Sequence, residues 1–211
     1  FTPHSEYRNT EYLQQWCAFW SDDAKRLPVA KALQQARLTI TETLWPKHPW
    51  ALDTDRLSKE IAKYRGLMDE AKETQALLLT EGRLTKTLYK LANEATLRTE
   101  FKRDSRSDDS LIKDPANRFL DHGNYLAYGL GATATSVLHG KTRRGGLVFD
   151  AADIIKDAVV LPNAFIGALE GLTEREFREH LIETFAQYEV LDQMIDTLKA
   201  LATFDFEESA Q

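Results

Sequence analysis

Apolar residues recur at helical spacing along most of this chain. From about Thr10, Leu13, Trp16, Cys17 and Trp20, then Leu27, Ala30, Leu33 and Ile40, follow one another every three or four positions, the period of an amphipathic helix. Leu44-Trp-Pro-Lys-His-Pro-Trp50 interrupts the pattern, because its prolines fix φ and remove main-chain donors. Asp53 or Thr54 can cap a second helix bearing Leu57, Ile61, Tyr64, Leu67, Met68 and Ala71. A third segment sets Leu77, Leu78, Glu81, Leu84, Thr85, Leu88, Leu91, Ala92 and Ala95 on one stripe and Arg83, Lys86 and Lys90 on another.

After a polar loop, Arg103-Asp-Ser-Arg-Ser-Asp-Asp-Ser110, a fourth helix is expected from Asn117 to about Thr135. Gly145-Gly146 then predicts a hairpin. Leu147-Val148-Phe149 is its buried strand, and Asp150 caps the helix that follows. Thr173-Glu-Arg-Glu176 is a capping box opening a last long helix through Phe177, Leu181, Phe185, Leu191 and Met194 to Leu198, before an acidic tail from Asp205. The pattern predicts one mainly α, multi-helix domain over residues 1–211 with a short β-hairpin and no internal repeat. One junction is abrupt: a helix through Ala134-Thr135 would meet a strand at His139 with no Gly, Pro or Asn between. The spacing predicts a gap of several residues near 135–137.

Composition narrows the class. The 211 residues are 43% hydrophobic and 28% charged, enough for a folded core rather than disorder. A net charge of -6 argues against an overall basic coat and leaves room for a local basic groove. Cys17 is alone, so no internal disulfide forms and a reducing, cytoplasmic setting is expected. No apolar run is long enough to span a membrane. The chain opens Phe-Thr-Pro without Met, as a piece of a longer protein does.

The chemistry gathers in His139-Gly-Lys-Thr-Arg-Arg-Gly-Gly-Leu-Val-Phe-Asp150-Ala-Ala-Asp153. An imidazole with carboxylate oxygens is a ligand set for Mg²⁺ or Mn²⁺, and the neighbouring cations suit a phosphate-rich substrate. Asp150 and Asp153 share one side of a helical turn; helix capping or a solvated acidic face with Asp157 accounts for them equally. His139 is a packed strand residue or, across the hairpin from Asp150, a ligand. Glu81, a carboxylate on an apolar stripe, requires a partner, either a structural Arg or a functional site. Gly140-Lys141-Thr142 is not a phosphate loop: position 135 is Thr where that motif needs Gly. Arg143 and Arg144 are better placed as phosphate contacts. Between Glu81 and Arg106 seven Lys and Arg face four acids, a solvated face or a polyanion-binding surface including Lys86 and Lys90.

These same residues carry a resemblance. Leu79-Thr-Glu81-Gly82 with Lys86-Thr-Leu-Tyr89 resembles the Glu-bearing helix of the CRISPR adaptation integrases, the Cas-one family. Asn117-Arg-Phe-Leu-Asp-His-Gly-Asn-Tyr-Leu-Ala-Tyr-Gly129 resembles the family's Asn-containing helix, and the His139–Asp153 stretch its His and Asp motifs in their type I-F form. The likeness runs in family order from about Thr10 to Leu201. It implies that Glu81, His139 and Asp153 hold Mg²⁺ or Mn²⁺, with Asp150 in support. It further implies a homodimeric enzyme that inserts short foreign DNA into a CRISPR array by 3′-hydroxyl transesterification on double-stranded DNA. The implied partner is Cas-two, fused in type I-F to a helicase-nuclease. The family's N-terminal β-sandwich is absent from this chain, and the interval from Glu81 to His139 is short. Two other readings stand beside it: a non-catalytic helical DNA-binding scaffold subunit, and a helical metal phosphohydrolase acting on small phosphoesters.

Overall fold

The computed structural model describes Gln15 and residues 22–97, 101–104, 114–139 and 145–203. Its first long helix, α1 (Asp23–Leu44), begins where Asp22 Oδ1 accepts from the Ala24 N–H at 3.0 Å. The stretch before it, with Leu13, Trp16, Cys17 and Trp20, lies outside the described residues. A single turn of 3₁₀ helix, Trp45–Lys47, ends α1 at the prolines. Asp53 then caps α2 (Thr54–Asp69) by accepting from the Arg56 N–H at 2.9 Å. Helix α3 (Thr74–Ala95) buries Leu77, Leu84, Leu88, Leu91, Ala92 and Ala95, the stripe that the sequence marked. Leu78, expected on that stripe, is 60% exposed.

Helix α4 spans Pro115–His139 and α5 spans Gly145–Ile155. Lys156–Val160 then form a π turn, leading into α6 (Leu161–Glu170). Gly171, at φ +69°, closes α6 with the left-handed residue that lets the chain reverse. The Thr173–Glu176 capping box starts α7 (Glu174–Gln187), and α8 (Val190–Ala202) follows. The expected single last helix is therefore two, broken where Glu189 takes φ +48°.

The hairpin expectation is corrected here. Residues 145–155 are helical, and no strand occurs among the described residues. A short apolar run reads alike as a buried strand or a buried helix. What decides is the continuation: Leu147, Ala151, Ala152, Ile154, Ile155 and Ala158 are all buried, which follows a helical period. Asp150 accordingly lies in the middle of α5 and is not its cap. His139 ends α4 rather than sitting in a strand, and α4 runs unbroken through 135–137, so the abrupt helix-to-strand junction does not arise.

Helix α5 with its π turn is the most enclosed part of the fold. Ala151, Ala152, Ile154, Ile155, Ala158, Val159 and Val160 have no exposed surface, and each such aliphatic side chain gives up water contact worth about 1.5–3 kcal/mol for the larger ones. Helix α4 crosses it closely because Gly131 has no side chain: a Cβ there would lie 2.6 Å from the Val148 carbonyl oxygen. Helices α1 and α3 flank the other side of α5, and this wedge holds the charged groups.

Candidate functional site

A cavity of about 610 Å³ opens between α1, α3 and α5. Val29, Ala30, Leu33, Leu77 and Leu78 form an apolar wall, and Glu81, Asp150 and Asp153 supply carboxylates. Glu81 reaches it from α3, Asp150 and Asp153 from adjacent turns of α5. Residues about seventy positions apart in sequence thus converge on one space.

Two of these three carboxylates, Glu81 and Asp153, are each engaged by a built-in cation. Arg37 of α1, 4% exposed, donates from Nη1 to Glu81 Oε1 at 2.6 Å. Its Nε and Nη2 reach Asp157 Oδ2 at 2.8 and 2.6 Å. Burial works against the Arg37 charge, but Asp157, Glu81 and Asp153 outweigh it and hold the guanidinium firmly protonated. Burial also pushes the Asp157 carboxyl up while Arg37 pulls it down, and the two short contacts to one oxygen fit a charged pair. Asp157 is 5% exposed, so the solvated acidic face expected of it is not formed. Lys156 donates to Asp153 Oδ1 at 2.6 Å and lies over the Tyr128 ring, 5.2 Å from its centroid. Burial disfavours the Lys156 charge, yet Asp153 and Tyr128 raise its pKa.

Asp150 has no such cation. It has no hydrogen-bond or ion-pair partner among the described residues. Burial first, then the charges of Asp153 and Glu81, raise its pKa from 3.8 to about 6. The carboxylates Glu81, Asp150, Asp153 and Asp157 outnumber Arg37 and Lys156 even when the exposed Arg26 at the cavity is added. Among the described residues the cluster is short of positive charge.

Arg37 occupies one oxygen of Glu81, and Lys156 one oxygen of Asp153. Glu81 Oε2 and Asp153 Oδ2 remain without partners among the described residues. Hard oxygen donors in a positive-charge deficit suit Mg²⁺ or Mn²⁺, with oriented cations behind them as outer-shell partners. Among the described residues, no three His, Cys, Asp or Glu side chains are gathered into a complete ligand group. The His139 side chain, the expected third ligand, lies outside the described residues, although its backbone ends α4.

The structure thus brings together Glu81, Asp150 and Asp153. Arg143 and Arg144 lie outside the described residues. Lys86 and Lys90 are exposed on α3 beside Arg83, and none of the three makes an ion pair among the described residues. Arg37, Asp157 and Lys156 are site residues that the sequence reading missed. Arg37 carried the same signal as Glu81, a charge on an apolar stripe between Leu33 and Ile40. No described helix is long and apolar enough to cross a membrane.

Over residues 1–160 the chain matches the family described as CRISPR associated protein Cas1. It is 47% identical over 216 residues to the CRISPR-associated endonuclease Cas1 of Pseudomonas aeruginosa (strain UCBPP-PA14), covering 95% of this chain. It is 46% identical over 217 residues to that of Pectobacterium atrosepticum, covering 96%. In both cases the chain spans 66% of the relative's length. Among solved structures, the fold is similar to TtCas1 in complex with DNA (TM-score 0.67, 21% identity, 97% of this chain and 69% of that one). It is also similar to a casposase bound to integration product (TM-score 0.64, 15% identity, 94% and 67%).

Proposed function

Since the chain belongs to the Cas1 family of CRISPR-associated proteins, we propose that it carries the active site of a metal-dependent DNA integrase and endonuclease. The observation that carries this reading is the convergence of Glu81, Asp150 and Asp153 on one cavity, with one oxygen of Glu81 and one of Asp153 unpartnered among the described residues. The relatives named as endonucleases and the casposase on its integration product support DNA strand chemistry.

In this proposal Glu81, Asp153 and His139 hold Mg²⁺ or Mn²⁺. The ion, when bound, supplies Lewis-acid polarisation of a phosphodiester and acidifies a hydroxyl beside it. Arg37 and Lys156 hold one oxygen of each acidic ligand and so fix which oxygen faces the cavity. Asp150 adds negative field that draws a divalent cation in. The reaction is a transesterification: the 3′-oxygen of an incoming strand forms a bond to phosphorus in the target, and the target's own 3′-oxygen leaves with a proton. Lys86 and Lys90 on α3, with Arg143 and Arg144, contact phosphates of double-stranded DNA and set binding rather than chemistry. The working assembly is cytoplasmic, two homodimers bridged by a Cas-two dimer, a partner that in type I-F is fused to a helicase-nuclease.

A branched DNA substrate with Mn²⁺, given to the full-length protein, tests this. Glu81→Gln, His139→Ala and Asp153→Asn should each abolish strand transfer and leave DNA affinity intact. Retained transfer in any of them removes that residue from the site. One observation favours the second reading, a DNA-binding subunit without chemistry: Glu81 and Asp153 are each already paired with a resident cation. DNA binding by the unaltered protein with no strand transfer in Mn²⁺ would establish it.

A further inference from the structure

The break after α1 acts on the helix that bears the carboxylates. Pro162 is the second residue of α6 and has no N–H. The Leu161 N–H is committed to the Lys156 carbonyl, the bond that closes the π turn. Two buried carbonyls therefore lose the i+4 donor of a regular α-helix. The Asp157 carbonyl would need position 161, already spent, or position 162, a proline. The Ala158 carbonyl would need position 162 in the helical pattern. Such groups require a partner when water is excluded.

Both partners come from the Trp45–His48 segment. Trp45 Nε1 donates to the Asp157 carbonyl at 2.7 Å, and His48 Nε2 lies 3.2 Å from the Ala158 carbonyl. A carbonyl only accepts, so His48 carries its proton on Nε2. Trp45 is 0% exposed and His48 6%. The segment is itself fixed: Trp50 Nε1 donates to the Trp45 carbonyl at 2.9 Å, and the Trp45 and Trp50 rings meet edge to face. His48 packs edge to face on Tyr188 of the α7–α8 junction. Asp157 is thus held twice, its main chain by Trp45 and its side chain by Arg37, and Arg37 in turn holds Glu81.

We propose that Trp45 and His48 are positioning residues for the acidic cavity: they bond the carbonyls whose i+4 donors are lost at the π turn and Pro162, fix that turn, and through Asp157 and Arg37 set the aim of Glu81 relative to Asp153. This rests on the reading of Glu81 and Asp153 as metal ligands.

The test compares Trp45→Phe, His48→Leu and His48→Gln in the full-length protein. Trp45→Phe and His48→Leu should lower Mn²⁺ affinity, followed by electron paramagnetic resonance, about 10-fold or more. They should lower kcat for strand transfer by a similar factor, leave KM for DNA unchanged and speed amide exchange over residues 158–163. His48→Gln keeps a donor and should stay within about twofold of the unaltered protein in each readout. Trp45→Phe with unchanged Mn²⁺ affinity and kcat overturns the proposal, even if its Tm falls, and leaves the catalytic reading standing. If Trp45→Phe does not fold, equal Mn²⁺ affinity in His48→Gln and His48→Leu overturns it. Failure of the unaltered protein to bind Mn²⁺ or join strands defeats the catalytic reading first, and the positioning role falls with it.

Discussion

The two sides of α5 and α6 are built on opposite principles. On the α4–α7 side, Phe119 and Phe177 stack with centroids 4.4 Å apart, and both are 1% exposed or less. Where α3 meets α6, Tyr89 and Phe101 extend the aromatic packing onto Phe165, with Phe101 at 4.7 Å. On the α1–α3 side, Arg37, Glu81, Asp150, Asp153, Lys156 and Asp157 crowd one wedge. The aromatic side gains stability from every contact. The charged side carries desolvation costs that ion pairing only partly returns, and a carboxylate, Asp150, without a cation among the described residues. A fold tolerates such a wedge when the opposite side is strong enough to hold it, and charge left uncompensated is where a cation-dependent activity belongs.

Removing an aromatic contact is the strongest way to probe this contrast. Phe177→Ala should cost about 3–5 kcal/mol in urea unfolding, while the folded fraction keeps its strand-transfer kcat. A loss of kcat without a loss of stability would show that the two sides are not separable. His48, where the break after α1 meets the π turn, comes next. Burial, the largest cause, lowers its pKa from 6.5 to about 4. The native state then refuses a proton that the unfolded chain accepts. The contribution of His48 to stability is therefore complete above pH 6.5 and falls by about 2–3 kcal/mol as pH drops toward 4. His48→Gln should flatten that part of the pH profile of the unfolding free energy.

Asp150 sharpens the contrast in the other direction. Its folded pKa is raised, so its contribution is favourable at low pH and is lost as pH rises through about 6. Asp150→Asn should therefore stabilise the metal-free protein by about 1–2 kcal/mol at pH 7.5, with the gain fading toward pH 4. Thermal unfolding in chelator at both pH values checks this, and a variant that is less stable at pH 7.5 would remove Asp150 from the charge deficit. The smallest effect belongs to α3's outer face. Lys86→Ala and Lys90→Ala should each weaken DNA binding and reduce its logarithmic salt slope by about 1, without altering Tm.

Much of the candidate site was legible because charge broke a period. Glu81 stood out on an apolar stripe, and Asp150 and Asp153 stood three apart beside apolar residues. The caps at Asp53 and Thr173 were legible from short-range hydrogen-bond chemistry alone. The region 145–155 was not, because Gly145-Gly146 before three apolar residues serves a turn and strand as well as the start of a buried helix. Asp157 was misplaced for a different reason. Its partner is Arg37, 120 residues earlier, and no local pattern announces a pairing across that distance. The π turn left one trace, Pro162 within a run of buried residues, and its meaning depends on Trp45 and His48 arriving from elsewhere in the chain.

Gly131 sets a boundary on how freely this sequence can drift. A methyl group there would press on the Val148 carbonyl and force α4 away from the very turns that present Asp150 and Asp153, whereas Gly66, Gly82 and Gly129 have nothing within 4 Å of an added Cβ. A saturation library sorted for function should therefore be nearly empty at position 131 and well populated at 82, one residue from Glu81. Nearness to the chemistry is a poor guide to what evolution must keep; the hydrogen atom that spaces two helices matters more than the neighbour of a ligand.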